Sequence, residues 1–90
     1  MKKYMRIHEN DNVAVMLYDA KPGDEIQLSD ISVILNEVIP YGHKVALKDM
    51  KADEIVLKYN QPIGKTVKNI RKGDWVHIHN IKSLRGGTEE

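Results

Sequence analysis

The stretch that decides the fold is Arg71-Lys72-Gly73-Asp74-Trp75-Val76-His77-Ile78-His79-Asn80, close to the C-terminus. It begins as a turn, because Gly supplies a positive φ and an Asp side chain accepts hydrogen bonds from nearby backbone N–H groups. The aromatic and β-branched residues that follow are typical of a strand. Two earlier segments repeat this order, Lys21-Pro22-Gly23-Asp24-Glu25-Ile26 and Lys51-Ala52-Asp53-Glu54-Ile55-Val56. All three predict a turn that leads directly into a strand, and their irregular spacing excludes a solenoid repeat.

The other apolar residues also fall in short runs with β-branched content. The runs span residues 13–17, 31–39, 44–47, 55–57 and 75–81. They are too short for ordinary helices and are bounded by Gly, Pro, Asn and Asp, which predicts a mostly-β fold, a small barrel of short strands. The segment from Leu28 to Glu37 is a helical alternative, but it contains weak helix formers and is predicted as a strand. Residues 40–43 and 60–64 are predicted as loops that end strands.

Composition limits the classes of function. Ninety residues form one domain with a modest core, which favours work with a partner or binding at the surface. The net charge is only +1 and Lys and Asp/Glu alternate along the chain, so no nucleic acid is expected as a partner. Cysteine is absent, which excludes disulfides and thiolate chemistry. No apolar run approaches the roughly 20 residues that span a bilayer. No signal peptide is recognised, and a cytoplasmic location is expected.

Histidines provide the main candidate chemistry. His77 and His79 lie two apart on a predicted strand, so both would point to one face, roughly 6–7 Å apart, while Val76 and Ile78 point into the core. Such a pair could share a metal ion or an anionic ligand, but a catalytic metal usually takes about three protein ligands. His43 is the obvious third candidate. The alternative is that both histidines are surface residues of an edge strand.

Other residues in the sequence also have candidate roles. Asn80 could orient a ligand or cap the turn after the strand. Lys44 could contact a carboxylate or phosphate, although an exposed strand lysine is the more common interpretation. The segment Gly64-Lys65-Thr66 lacks the full spacing of a phosphate-binding loop, so nucleotide binding there is rejected. No serine has the sequence context of a nucleophile.

Five segments in this order and spacing resemble a known family. They are residues 6–8, 11–15, 39–47, 59–65 and 73–80, and the resemblance covers about Arg6 to Lys82. Together they are similar to the small N-terminal SAF domain of the altronate/galactarate dehydratase family, which includes a sulfolactate sulfo-lyase branch. The resemblance implies a β-clip fold for residues 1–84, and residues 85–90 are predicted to be a flexible tail. Tyr41 and Asn60 depart from it, since the family often has a small residue and Gly there, although Asn can still adopt a positive φ.

The resemblance also implies a function. The chain would be the small subunit or N-terminal domain of a metal-dependent hydro-lyase that dehydrates anionic sugar acids of the altronate or galactarate type. Iron or manganese would be bound mainly by a larger catalytic subunit, and a homo-oligomer is possible. His43, His77 and His79 are predicted as catalytic residues and Lys44, Gly64 and Asn80 as substrate-binding residues, with His77 and His79 also predicted as metal ligands. Alternatives are a sulfolactate sulfo-lyase subunit, or a non-catalytic module for sugar-acid binding or assembly.

Overall fold

The computed structural model describes residues 3–6 and 8–83, and within them the chain forms nine strands and no helix. The predicted mostly-β fold is therefore confirmed, including a strand instead of a helix between Leu28 and Glu37. The predicted tail at residues 85–90 lies outside the described residues. The strands are β1 (Tyr4–Met5), β2 (Val13–Met16), β3 (Glu25–Gln27), β4 (Ser32–Ile34), β5 (Lys44–Ala46), β6 (Ile55–Lys58), β7 (Gln61–Thr66), β8 (Trp75–Val76) and β9 (Ile81–Ser83).

These strands pair into three small antiparallel sheets. The largest has the order β1-β2-β5-β8, a second contains β3 and β4, and the third has the order β6-β7-β9. Alternation along the four-stranded sheet divides the core in two. On β2, Ala14 and Met16 pack into one cluster with Ile26, while Val13 packs into the other with Val56. The four-stranded sheet thus has a buried apolar layer on both faces, which explains why its short strands are almost entirely apolar.

The three repeated segments form the same turn. Gly23, Asp53 and Gly73 all have a positive φ, of 90°, 67° and 93°. The next residue in each copy is an acid whose carboxylate accepts a hydrogen bond from the backbone N–H three residues earlier, at 2.9–3.0 Å. Strands β3, β6 and β8 begin directly after these turns. The prediction that each copy is a turn launching a strand is confirmed.

A buried carboxylate holds a fourth turn. Tyr59 and Asn60 join β6 to β7 with φ of 57° and 58°, the positive values that a type I′ hairpin requires at both positions. Asp11 is 5% exposed and accepts hydrogen bonds from both of their backbone N–H groups, at 2.9 and 2.6 Å, and from that of His8 at 3.2 Å. Asn60 therefore adopts the positive φ that this turn requires.

Three predictions of local structure were wrong. The run at 75–81 is not one strand, because residues 77–80 form a turn between β8 and β9, and Ile78 is 83% exposed and not in the core. The predicted loop at 60–64 is mostly strand β7, in which Pro62 lies next to a register shift. Proline is tolerated at such bulges because no ladder hydrogen bond is lost there. The run at 31–39 is a strand only over β4.

Candidate functional site: a histidine–tryptophan cluster

Strand register brings His43 and His77 together. Strands β5 and β8 are antiparallel, with Lys44 opposite Val76 and Val45 opposite Trp75. Continuing this register by one residue places His43 opposite His77. The backbone of His43 is fixed by two hydrogen bonds, since its N–H donates to the Pro40 carbonyl at 3.0 Å and its carbonyl accepts from the Met16 N–H at 2.9 Å. The two histidines thus meet at the end of the four-stranded sheet.

Asn80 shapes the turn that carries His77 and His79. Its side-chain oxygen accepts from the His77 N–H at 2.9 Å and its amide donates to the Trp75 carbonyl at 2.7 Å. Because Asn80 is only 3% exposed, its amide group is occupied inside the protein. Of the two roles predicted for this residue, the structure shows the cap of the turn. A direct substrate contact remains a prediction.

Four aromatic rings form one cluster. The ring centroids of His43 and His77 lie 4.6 Å apart, and His77 stacks almost parallel to Trp75, at 5.5 Å and 8°. His79 packs against Trp75 in a tilted geometry at 5.0 Å. The Trp75 Nε1–H donates to His43 Nδ1 at 3.1 Å. Because Nδ1 accepts this bond, the neutral His43 ring carries its proton on Nε2 and is a hydrogen-bond donor there.

His77 is held in its neutral form by its surroundings. Loss of solvent around the ring is the main factor that lowers its pKa from 6.5, and the charges of His43, Lys44 and His79 add to it. A neutral imidazole with a lowered pKa has a free nitrogen lone pair at neutral pH, which suits a general base or a ligand. His43 and His77 therefore offer a donor and an acceptor side by side.

Lys44 lies beside this cluster on β5 and is half-buried. Burial lowers the pKa of its ammonium group, and the positive charge of Lys58 lowers it further. Both lysines line an open groove of about 480 Å³ that also contacts Ile78, in the turn between the two histidines. The predicted placement of Lys44 close to the histidine site is thus observed, but it is not the fully exposed strand lysine of the alternative interpretation.

One predicted substrate-binding residue has a structural explanation of another kind. Gly64 is buried in β7, where a Cβ atom would lie 2.9 Å from the carbonyl oxygen of Lys82 in β9. Close approach of these strands accounts for glycine, and a role of Gly64 in substrate binding stays a prediction. His8 belongs to a separate turn, in which its Nδ1 accepts from the Asn10 N–H at 3.0 Å.

The described residues do not form a complete metal site. No group of three or more His, Asp or Glu side chains within residues 3–6 and 8–83 is arranged to hold a metal ion. His43 Nδ1 is already occupied by Trp75, which leaves an incomplete donor set for a site that usually needs about three protein ligands. His77 and His79 alone are an incomplete ligand set, and metal binding by these two residues stays a prediction.

Two residues of the site were missed in the sequence. Trp75 was noted only as a strand residue, yet it contacts all three histidines. Its position two residues before His77, at the start of the strand that follows the turn, was the available signal. Lys58 had no signal, because only the groove beside β5 relates it to Lys44.

Comparison with known proteins identifies the family of this chain. Residues 2–84 match the model of the altronate/galactarate dehydratase SAF domain. The chain belongs to this family. The SAF domain is 35% identical to altronate dehydratase of Bacillus subtilis over 92% of the chain, and 40% identical to that of Escherichia coli over 90%. It is also 47% identical to (2R)-sulfolactate sulfo-lyase subunit alpha of Paracoccus pantotrophus over 63% of the chain.

Coverage of these relatives differs widely. The SAF domain spans 17% of the Bacillus altronate dehydratase and 16% of the Escherichia one, but the match covers 85% of the Paracoccus sulfo-lyase subunit. The resemblance found in the sequence is thereby confirmed at the level of the family. In the part of the SAF domain that the structure describes, there is no helix able to cross a membrane.

Proposed function

We propose that this SAF domain acts in the cytoplasm as the small subunit or N-terminal domain of a hydro-lyase, together with a larger catalytic subunit or region. The substrate is an anionic sugar acid of the altronate or galactarate type, and the reaction is the loss of water. Three relatives named as altronate or galactarate dehydratases support this proposal. The observation that carries it is the histidine–tryptophan cluster with Lys44 close to it.

The cluster suits proton transfer during such an elimination. Dehydration of a hydroxy acid removes a proton from the carbon next to the carboxylate and a hydroxyl group from the following carbon, which leaves as water once protonated. In this proposal the neutral His77 accepts a proton and the Nε2–H of His43 donates a hydrogen bond to an oxygen. Trp75 fixes the tautomer of His43 and the orientation of both rings.

The larger catalytic subunit completes the site. A domain of this size has few side chains to enclose a substrate, and its cluster opens to the surface, with Ile78 exposed between His77 and His79. We propose that the partner covers this surface. Divalent iron or manganese, which would stabilise the leaving hydroxyl group, is proposed to be bound mainly by the partner, because the described residues offer no complete ligand set.

A second candidate is the small subunit of a sulfolactate sulfo-lyase. The higher identity to two proteins named as sulfo-lyase subunit alpha, 47% in both cases, favours it, as does the share of those short proteins that is matched. The chemistry is related, since a proton again leaves from the carbon next to the carboxylate while sulfite replaces water as the leaving group. The same histidines would serve either reaction.

Activity with and without the chain tests the proposal. The large subunit would be assayed with altronate, galactarate and (2R)-sulfolactate, and either the keto acid or sulfite would be measured. We expect one of these three substrates to be consumed, and we expect this only when the chain is present. Equal rates in its presence and absence would refute an enzymatic role. The substrate that is consumed decides between the two candidates.

Two variants separate a chemical from an assembly role. His77→Gln should lower kcat by about 100-fold or more, the usual contribution of a general base. His8→Gln is the matched control, because His8 lies outside the ring cluster and should retain full turnover. Co-purification with the large subunit should be unchanged in both. Full activity of His77→Gln would show that the domain only holds the assembly together.

A further inference from the structure

The groove beside Lys44 contains two positively charged side chains. Six residues line it, namely Lys44, Lys58, Ile63, Ile78, Ile81 and Ser83. Its volume of about 480 Å³ lies within the range of small-molecule sites. The charged groups of this lining are both cations, and its apolar part is formed by three isoleucines.

Neither lysine is neutralised within the described residues. The ion pairs of residues 3–6 and 8–83 are Arg6–Asp30 and Lys48–Glu54, and neither includes Lys44 or Lys58. The Lys58 ammonium instead lies 4.9 Å from the centre of the Tyr59 ring. This contact orients Lys58 but leaves its charge in place, so two cations face one groove that no acidic residue of the described chain lines.

A second lysine pair shows that this arrangement is not simply a solvated surface. Lys65 and Lys82 are direct neighbours across β7 and β9, but both are exposed to water. Lys44 and Lys58 are both partly buried, and the pKa of Lys44 is lowered mainly by burial and further by repulsion from Lys58. Partial burial weakens solvent screening, so a bound anion would relieve this repulsion far more than at the exposed pair.

We infer that Lys44 and Lys58 together bind the carboxylate or sulfonate group of a small organic acid in this groove. This inference rests on the proposed function and deepens it, since it assigns the acid group of the substrate to a defined place. Lys44 lies close enough to His77 for its charge to act on that ring, so the carbon chain of the bound acid extends from the lysines toward this imidazole. Charge-assisted hydrogen bonds from two ammonium groups provide the affinity.

Anion binding can be measured on the full chain without the large subunit. Inorganic sulfate and galactarate would be titrated into the isotopically labelled chain at low ionic strength and neutral pH, with backbone amides followed by NMR. We expect saturable shifts at residues 44, 58 and 78. Lys58→Met should weaken binding of both anions by about tenfold, the usual effect of losing one charged hydrogen bond. Lys44→Met should do the same.

Lys65→Met is the matched control, because it removes the same charge from the exposed pair and should leave both affinities within about twofold. A second readout is the pKa of the Lys44 ammonium, followed through its labelled side chain. It should rise in Lys58→Met and also on sulfate binding to the native chain. If Lys44→Met does not fold, Lys58→Met alone carries the test, since its lysine lies at the end of β6.

The inference fails if sulfate and galactarate cause no saturable shifts, or if Lys65→Met weakens binding as much as Lys58→Met. These results are independent of turnover. Dehydration that depends on the chain, without anion binding to the groove, would overturn this inference and leave the proposed function intact. Anion binding at the lysines without an effect of the chain on turnover would refute the proposed function and leave anion binding in the groove intact.

Discussion

Replacing Gly73 by alanine tests the contact that positions the start of β8. Gly73 has φ of 93°, and a Cβ atom there would overlap the carbonyl oxygen of Ile34 and lie 3.1 Å from Asn36 Nδ2. The neighbouring hydrogen bonds show why the approach is so close. The Asn36 N–H donates to the Gly73 carbonyl at 3.0 Å, and the Asn36 amide donates to the Lys72 carbonyl at 2.8 Å. The turn is therefore packed directly onto the segment after β4.

Gly23 is the matched control for this substitution. It occupies the equivalent position of the first turn with φ of 90°, but a Cβ atom there would meet nothing within 4 Å. Gly23→Ala thus measures the cost of a positive φ alone, about 1–2 kcal/mol in the free energy of unfolding. Gly73→Ala adds the steric overlap, about 1–3 kcal/mol more, for a total of about 2–5 kcal/mol. A domain of this size has a total stability of only about 5–13 kcal/mol, so the loss is large.

Urea unfolding followed by Trp75 fluorescence and by circular dichroism would measure both variants. We expect the midpoint to fall moderately for Gly23→Ala and much further for Gly73→Ala. Because Trp75 lies two residues after Gly73, the surviving folded Gly73→Ala protein should also show altered tryptophan emission. Equal losses of stability in the two variants would refute the close packing of this turn against Ile34 and Asn36.

Three further predictions concern single residues. The folded state lowers the pKa of His77, so the unfolded chain binds its proton more tightly, and the free energy of unfolding should fall as the pH drops through about 6.5. His77→Gln should reduce this fall in urea titrations at stepwise lower pH, and an unchanged slope would contradict the assigned environment. Asp53→Gly should raise the thermal midpoint slightly, because glycine adopts φ of 67° without the roughly 1–2 kcal/mol that a side chain costs there. This gain exceeds the roughly 0.5–1 kcal/mol that the extra backbone freedom of glycine costs on folding, and a lower midpoint would count against that φ. Asp11→Ala should lower the free energy of unfolding by about 3 kcal/mol or more, since it leaves the N–H groups of His8, Tyr59 and Asn60 without their acceptor. Urea unfolding would measure this loss, and a value below about 1 kcal/mol would show that this carboxylate does not hold the hairpin.

The sequence was most informative where structure is determined locally. The three turns could be predicted because a positive φ and a carboxylate that bonds the backbone N–H three residues earlier need no distant contact. Short β-branched runs bounded by turn residues likewise indicated strands. The mostly-β fold followed from these local signals.

One prediction was wrong where the local sequence pattern favours a strand but a side chain caps a turn. Val76-His77-Ile78-His79 alternates as a strand would, but the amide of Asn80 bonds both Trp75 and His77 and closes a turn instead. The exposure of Ile78 follows from that turn. Strand β7 was not predicted because it contains Pro62 and Gly64, two residues that normally indicate loops. Here Gly64 is needed for the close approach of β9, which the sequence of β7 alone could not show.

The candidate site was only partly predictable for a similar reason. His43, His77 and His79 were selected correctly as neighbours, but their contact through Trp75 depends on the register of β5 and β8. Lys58 joins Lys44 only through the packing of the third sheet near the four-stranded one. A single sequence does not show which distant strands pair or in which register they do so.

The hydrogen bond from Trp75 to His43 joins residues 32 positions apart in the chain. Loops of this length close slowly compared with hairpins such as β3–β4 and β6–β7, so these hairpins are expected to form early in folding and the ring cluster late. An acid that touches Lys44, Lys58 and the turn at Ile78 would consequently recognise only the completed fold. Substrate that is present when the chain folds would bind only the native state and stabilise it. Unfolding and proteolysis of the chain in the cell would therefore be slower.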